Sequence, residues 1–233
     1  MEVEILNATP DPEETICRAA RNDYGEDATA PFKDVMEGVD GDTIDEKKHT
    51  LLKHLISREH YGPLEHVHAS FSVKGVSRVV MSQSTRHRHL SFDIQSQRYC
   101  DFSDEDYTVP KSFTDPDHFT RDDGTVDMSE RNQESGKRNF EDAVEMTIRE
   151  YERLVEDGFP KEDARYVLPT AMQVDIVFSG NLRALLHVVN MRSKADVQGE
   201  TRELAESVSN EIEEWTPTVY ELVDERMPLP LGL

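Results

Sequence analysis

Residues 66–74 read His-Val-His-Ala-Ser-Phe-Ser-Val-Lys, and apolar side chains alternate with polar ones along the stretch. A repeat of two residues is typical of a β-strand that turns one face to the core and the other to water. Residues 172–178 show the same alternation, with apolar side chains at Met172, Val174, Ile176 and Phe178. The sequence therefore predicts two half-buried strands that lie far apart along the chain.

Apolar spacings of three and four residues predict helices between and around these strands. Asp11 precedes a proline and two acidic residues, and Asn181 precedes a leucine-rich stretch, so both are predicted N-caps. The predicted helices cover residues 12–20, 43–61, 141–157, 160–168, 182–189 and 196–213, and residues 77–88 are ambiguous, with a helix favoured. Residues 101–137 lack periodicity and are predicted to form an irregular surface excursion, with a short strand near Tyr107. Helices and strands without regular alternation indicate an α+β fold, with residues 1–233 as a single domain.

The composition of the chain restricts its compartment and its partners. The chain carries 48 acidic side chains against 26 lysines and arginines, and a net charge of -22 argues against nucleic acid as a partner. Such an acidic, lysine-poor surface suits a salt-rich cytoplasm, although an ordinary acidic enzyme is an open alternative. Cys17 and Cys100 lack the spacing of a disulfide framework or a zinc site, and no apolar run is long enough for a membrane span. We therefore expect a soluble, unexported cytoplasmic protein without a metal or a membrane partner.

The densest polar cluster is residues 86–99, which read Arg-His-Arg-His-Leu-Ser-Phe-Asp-Ile-Gln-Ser-Gln-Arg-Tyr. Three arginines and two histidines fall within this short stretch of a strongly acidic chain. The planar guanidinium group of arginine donates paired hydrogen bonds that match the geometry of phosphate oxygens. The cluster therefore predicts a local site for an anion such as a nucleotide phosphate.

Four blocks of sequence resemble one known family. Within residues 86–99, the order Arg-His-Arg, seven residues, Ser, then Gln-Arg-Tyr is similar to the signature of flavin-dependent thymidylate synthases. The other blocks follow in the family's order: His-Tyr-Gly-Pro-Leu-Glu-His at 60–66, Ala-Arg-Tyr-Val-Leu-Pro at 164–169, and Asn-Leu-Arg at 181–183 with Asn-Met-Arg at 190–192. The resemblance covers about residues 15 to 215.

The resemblance implies a fold, a reaction and an assembly. The implied fold has a mostly antiparallel sheet with packed helices. The implied reaction is the reductive methylation of dUMP to dTMP, with 5,10-methylenetetrahydrofolate as carbon donor and FAD, reduced by NADPH, as reductant. Tetrahydrofolate is released. The implied assembly is a homotetramer whose subunits share active sites, so that one chain alone is expected to be inactive.

The resemblance also implies ligand contacts for individual residues. It places FAD against Gly62, Arg86, His87, Arg88, Ile94, Asn181, Leu182, Arg183 and His187. It places dUMP against Gln83, Arg86, Gln95, Ser96, Gln97, Arg98, Arg165 and Arg192. Arg192 matches the family arginine that stabilises dUMP ionised at N3, and is the expected catalytic residue. Gly62 and Ile94 depart from the family pattern, because a Ser or Thr hydroxyl and a Glu or Gln side chain are common there.

Two other functions remain open on the residues alone. A histidine-rich, metal-dependent nucleotide hydrolase would use His66 and His68, which share one face of a predicted strand but lack a third ligand at a recognisable spacing. A non-catalytic nucleotide or RNA-binding module would use the arginines of residues 86–98 as a phosphate patch, and its binding would weaken with salt.

Overall fold

The computed structural model of the chain describes residues 1–104, 106–114, 120–121, 124–125 and 130–224. The strands are β1 Glu2–Ala8, β2 His68–Ser77, β3 Ser91–Ile94, β4 Thr120–Arg121, β5 Gly124–Thr125 and β6 Gln173–Asn181. The α-helices are α1 Pro12–Asn22, α2 Phe32–Val35, α3 Ile44–Ser57, α4 Arg78–Ser84, α5 Glu130–Glu156, α6 Lys161–Ala164, α7 Leu182–Arg192, α8 Gly199–Trp215 and α9 Pro217–Asp224. Short 3₁₀ segments occupy Gly62–His66, Lys111–Phe113 and Arg165–Val167.

The main sheet has four strands in the order β1-β2-β6-β3, and each neighbouring pair is antiparallel. Its two central strands, β2 and β6, are the two stretches whose alternation predicted strands. Phe71 of β2 and Phe92 of β3 both pair with Phe178 of β6, and the rings of Phe71 and Phe178 stack with centroids 4.9 Å apart. Such cross-strand aromatic contacts stabilise a sheet and fix its register. The edge strands β1 and β3 were not predicted.

Helices cover one face of this sheet. The buried side chains of Phe71 and Ile176 belong to the same core as Ile16 of α1, Leu52 of α3 and Leu185 of α7. The alternate residues of the central strands, including Lys74, Asp175 and Val177, are exposed on the other face. The predicted α+β class and the antiparallel sheet are therefore confirmed. That residues 1–233 form a single domain stays a prediction.

The predicted helix starts differ in how they are capped. Asn181 caps α7 as predicted, because its Oδ1 accepts a hydrogen bond from the Ala184 N–H at 2.9 Å. Asp11 occupies the predicted N-cap position before Pro12, but its side chain makes no capping bond, and its backbone is left-handed with φ 44°. The helix α1 starts instead on the Asp11 carbonyl, which accepts from the Thr15 N–H at 3.0 Å.

The predicted excursion over residues 101–137 was wrong at both ends. Phe102 is fully buried in the core, and α5 begins at Glu130, well before the apolar stripe that predicted it. The first turns of α5 are polar and carry no periodic signal. The short strand predicted near Tyr107 is a single bridge to Met172. Residues 105, 115–119, 122–123 and 126–129 lie outside the described part of the chain.

Two further findings concern the helices. The last helix, α9, was not predicted, and it follows α8 after a single residue. Among the helices that the structure describes, none has the length and apolar character needed to span a bilayer.

Candidate active site

The Arg86–Tyr99 cluster begins in a tight loop between α4 and β3. The loop turns at His87, whose N–H donates to the Ser84 carbonyl at 3.0 Å, and again at Leu90, whose N–H donates to the His87 carbonyl at 3.2 Å. The loop lies directly on β6, because a Cβ atom at Gly180 would collide with the Leu90 side chain. This close approach brings the loop beside α7, which starts two residues after Gly180.

The loop contacts the predicted catalytic arginine at the end of α7. Arg192 Nε donates to His87 Nε2 at 2.9 Å, and Arg192 Nη2 donates to the Gln83 carbonyl at 3.1 Å. Burial, and then the neighbouring Arg192 and His187, lowers the pKa of His87 from 6.5 to about 4. His87 is therefore neutral at pH 7 and carries its hydrogen on Nδ1, because a guanidinium can only donate to Nε2. Two acceptors thus fix the orientation of the Arg192 guanidinium.

A pocket of about 210 Å³ opens between the loop and α7, lined by Arg86, His87, Arg88, His89, Leu90, Ala184, His187 and Val188. No acidic residue of the described part of the chain lines it. Within the described part of the chain, the Arg86 and Arg88 guanidinium groups have no hydrogen-bond or ion-pair partner. Burial and the neighbouring His89 lower the pKa of His187, which favours a neutral imidazole. The pocket thus offers free cationic donors and neutral ring nitrogens to a polyanionic ligand.

The other residues expected to bind FAD lie around the start of α7. Arg183 Nη1 donates to Glu65 Oε1 at 2.5 Å, which joins α7 to the 3₁₀ segment that Gly62 begins. The Asn181 side chain is used as the α7 cap. Leu182 is fully buried, and its N–H donates to the Val67 carbonyl at 2.9 Å. The fold therefore already uses the side chain and N–H of Leu182, and Asn181 has one capping bond already made.

The second half of the cluster lies against β6 and α6. Ile94 ends β3 opposite Ile176. The next residue, Gln95, extends this pairing to Asp175: the Gln95 N–H donates to the Asp175 carbonyl, and Gln95 Oε1 accepts from the Asp175 N–H. Ser96 Oγ accepts from the Arg98 N–H at 3.2 Å. These contacts fold residues 95–98 into a turn at the sheet edge.

Arg98 and Arg165 meet at one glutamate. The Arg98 guanidinium forms an ion pair with the Glu162 carboxylate, and Arg165 Nε donates to the Glu162 carbonyl at 3.1 Å. Directly before Arg98 in sequence, Gln97 is only 5% exposed, and its Nε2 has no hydrogen-bond partner within the described residues. The residues expected to bind dUMP therefore fall into two sets: Gln83, Arg86 and Arg192 beside the pocket, and Gln95, Ser96, Gln97, Arg98 and Arg165 beside α6.

Sequence reasoning missed three residues of this region. Thr201 Oγ1 donates to Gln83 Oε1 at 3.2 Å, and Gln198 accepts from Gln83 Nε2, so the start of α8 holds the Gln83 side chain. Arg78, the first residue of α4, is half-buried near Arg165. None of the three belongs to a motif, and the contacts of Thr201 and Gln198 span more than 100 residues, so no local signal marks them.

Comparison with known proteins identifies the family. A family model described as thymidylate synthase complementing protein matches residues 4–218. A flavin-dependent thymidylate synthase of Haloarcula marismortui is 44% identical, over 97% of this chain and 96% of the relative. The protein of that name from Halobacterium salinarum is 43% identical over the same shares of both chains. The chain belongs to the flavin-dependent thymidylate synthase family.

A more distant member of the flavin-dependent thymidylate synthase family, from Geobacter sulfurreducens, is 31% identical over 94% of this chain and 85% of its own length. Family membership confirms the resemblance inferred from the four sequence blocks and gives no support to the metal-dependent hydrolase. Within the described residues, no group of three or more His, Cys, Asp or Glu side chains is placed to hold a metal ion. The ligand contacts assigned to single residues stay predictions.

Proposed function

We propose that this chain catalyses the reductive methylation of dUMP to dTMP, as an FAD-dependent methyltransferase. The family and the name of its relatives support this reaction. The proposed carbon donor is 5,10-methylenetetrahydrofolate and the proposed reductant of FAD is NADPH, with tetrahydrofolate as a product. The observation that carries the proposal is the Arg192 guanidinium, which neutral His87 and the Gln83 carbonyl hold beside a pocket without acidic lining.

The residues that line the pocket fit FAD by their chemistry. Arg86 and Arg88 offer guanidinium donors that no carboxylate of the described chain occupies, which suits a diphosphate. His87 and His187 have lowered pKa values, so each presents a neutral imidazole able to donate or accept a hydrogen bond. When bound, FAD supplies the reducing equivalents that complete the methyl group. The proposed role of these residues is to bind and orient it.

Arg192 has the proposed catalytic role. Its charge stabilises the anionic form of the uracil ring of dUMP, which raises the electron density at C5 and lets this carbon attack the one-carbon unit. A preorganised donor is most effective, since no energy is then spent on reorienting it during the reaction. His87 and the Gln83 carbonyl provide this preorganisation by fixing two of the guanidinium nitrogens. Gln95, Ser96, Arg98 and Arg165 are the proposed contacts for the rest of dUMP.

The assembly and compartment are also proposals. A homotetramer with shared sites would bring the residues beside α6 of one subunit to the pocket of another, which accounts for their separation into two sets within one chain. A cytoplasmic location fits the two free cysteines. The net charge of -22 supports an acidic surface adapted to a salt-rich cytoplasm.

The proposal is tested with purified protein reconstituted with FAD at low and high salt. We expect a flavin absorbance band that NADPH bleaches, and formation of dTMP from dUMP and 5,10-methylenetetrahydrofolate. Arg192→Ala should keep its flavin while dTMP formation falls by roughly a hundredfold or more. The matched control is Arg153→Ala, which removes an exposed arginine paired with Glu150 on α5. A protein that binds no FAD at any salt concentration would disprove the function, and near-normal turnover of Arg192→Ala would disprove the role of that residue.

A further inference from the structure

The start of α4 places one more arginine beside the residues proposed for dUMP. The Arg78 N–H donates to the Met172 carbonyl at 3.1 Å, and the preceding residue, Ser77, pairs with Gln173 in the sheet. Met172 in turn closes the loop that leads from the 3₁₀ segment Arg165–Val167 into β6, since its N–H donates to the Pro169 carbonyl at 3.2 Å. Arg78 therefore projects from a backbone position that is fixed against the loop following the Arg165 segment.

The charge of Arg78 is not compensated within the described chain. Its guanidinium is half-buried, and no described side chain or carbonyl pairs with it. Among the described residues, Arg165 bonds only to the Glu162 carbonyl, because the Glu162 carboxylate is paired with Arg98. Burial, and then the charge of Arg165, lowers the pKa of Arg78. Two neighbouring cations are thus left without a carboxylate.

Such an arrangement costs stability in the free protein, because both desolvation and mutual repulsion disfavour the charged forms. The chain does not lack counter-ions, since it has 48 acidic side chains for 26 basic ones. Two half-buried arginines of α1 are neutralised, Arg18 by Glu14 at 2.7 Å and Arg21 by Glu26 at 2.9 Å. An uncompensated pair in so acidic a protein indicates that an anion from outside the described chain completes it.

We propose that Arg78 binds the phosphate of dUMP together with Arg165. The inference rests on the proposed function and adds a substrate contact that no sequence motif of the chain indicates. A phosphate dianion accepts charge-assisted hydrogen bonds from two guanidinium groups at once and neutralises both. Ser96 and Arg98, which bond to each other through the turn at the sheet edge, would lie on the same side of the ligand. The ribose and base then extend towards the pocket residues of a shared site.

The test compares dUMP with deoxyuridine, which lacks the phosphate. Binding of both is measured by isothermal titration calorimetry to the FAD-loaded protein and to Arg78→Gln, Arg78→Lys and the control Arg149→Gln, an exposed arginine on α5. A hydrogen bond to a charged group is worth about 1.5–3 kcal/mol, so Arg78→Gln should weaken dUMP binding roughly ten- to a hundredfold. Deoxyuridine binding should stay unchanged, and Arg78→Lys should restore part of the loss. The control should bind both ligands as the wild type does.

A second readout separates binding from folding. Without dUMP, the melting temperature of Arg78→Gln should equal or exceed that of the wild type, because the substitution removes the repulsion with Arg165. The stabilisation that dUMP adds should be smaller in the variant. Unchanged dUMP affinity, an equal loss for deoxyuridine, or loss of FAD instead of dUMP would each overturn the role of Arg78. If the wild type itself binds no dUMP, the proposed function fails as well.

Discussion

Replacing His87 by glutamine should change how the stability of the protein depends on pH. In the folded state the pKa of His87 falls from 6.5 to about 4, so its imidazole stays neutral while the unfolded chain takes up a proton below pH 6.5. The contribution of neutral His87 to the free energy of unfolding is therefore fully present above pH 6.5 and is lost as the pH falls towards 4. At about 1.4 kcal/mol per pKa unit the loss has an upper limit of ~3 kcal/mol. Because His87 is only half-buried, solvent screening reduces it to ~1–2 kcal/mol.

The glutamine side chain keeps an acceptor for Arg192 but does not titrate. Between pH 7 and pH 4.5, the free energy of unfolding of His87→Gln should therefore fall by ~1–2 kcal/mol less than that of the wild type. Urea unfolding of both proteins at equal subunit concentration measures this difference. Because both proteins contain the same 48 carboxylates, the pH dependence that these groups cause cancels when one free energy of unfolding is subtracted from the other. The control His54→Gln changes an exposed histidine of α3 and should keep the wild-type pH dependence. Superimposable pH profiles for the wild type and His87→Gln would refute the reasoning.

Two further substitutions test contacts made across the fold. Glu13→Gln should destabilise the protein by ~1–3 kcal/mol in urea unfolding, because the amide nitrogen that replaces Oε2 can no longer accept from Thr218 Oγ1 at 2.9 Å or pair with Lys48 Nζ at 3.3 Å; a loss below ~0.5 kcal/mol would contradict this. Thr201→Val should lower kcat/KM for dUMP by about tenfold, since Gln83 loses one hydrogen bond, and Thr201→Ser should restore it; equal activity of both variants would argue against this role.

The central elements of the fold could be predicted from the sequence because their signals are local. The alternation of apolar and polar residues along β2 and β6 is visible in the sequence alone, because one face of each strand is buried and the other is exposed. Asn181 caps α7 three residues away, which is a contact that neighbouring residues decide. The arginines of residues 86–99 also predicted an anion site, because their number and spacing in an acidic chain are visible without a structure.

Other elements depend on partners far along the chain. The edge strand β3 has only four residues and gains its conformation from pairing with β6. The helix α9 begins where Glu13, 205 residues earlier, accepts the Thr218 N–H. Neither segment contains an internal pattern strong enough to predict it.

The sequence by itself determined the family and the α+β class. The arginines of residues 86–99 also predicted a site for a nucleotide phosphate without a structure. Only the tertiary structure placed His87 within 2.9 Å of Arg192, 105 residues away, and burial there, together with the charge of Arg192, makes His87 a neutral acceptor. Only the structure brings Arg78 beside Arg165 without a carboxylate. The physical reason is that the identity of a side chain is local, whereas its burial, its charged neighbours and its hydrogen-bond partners are set by chain segments that meet only in the folded state.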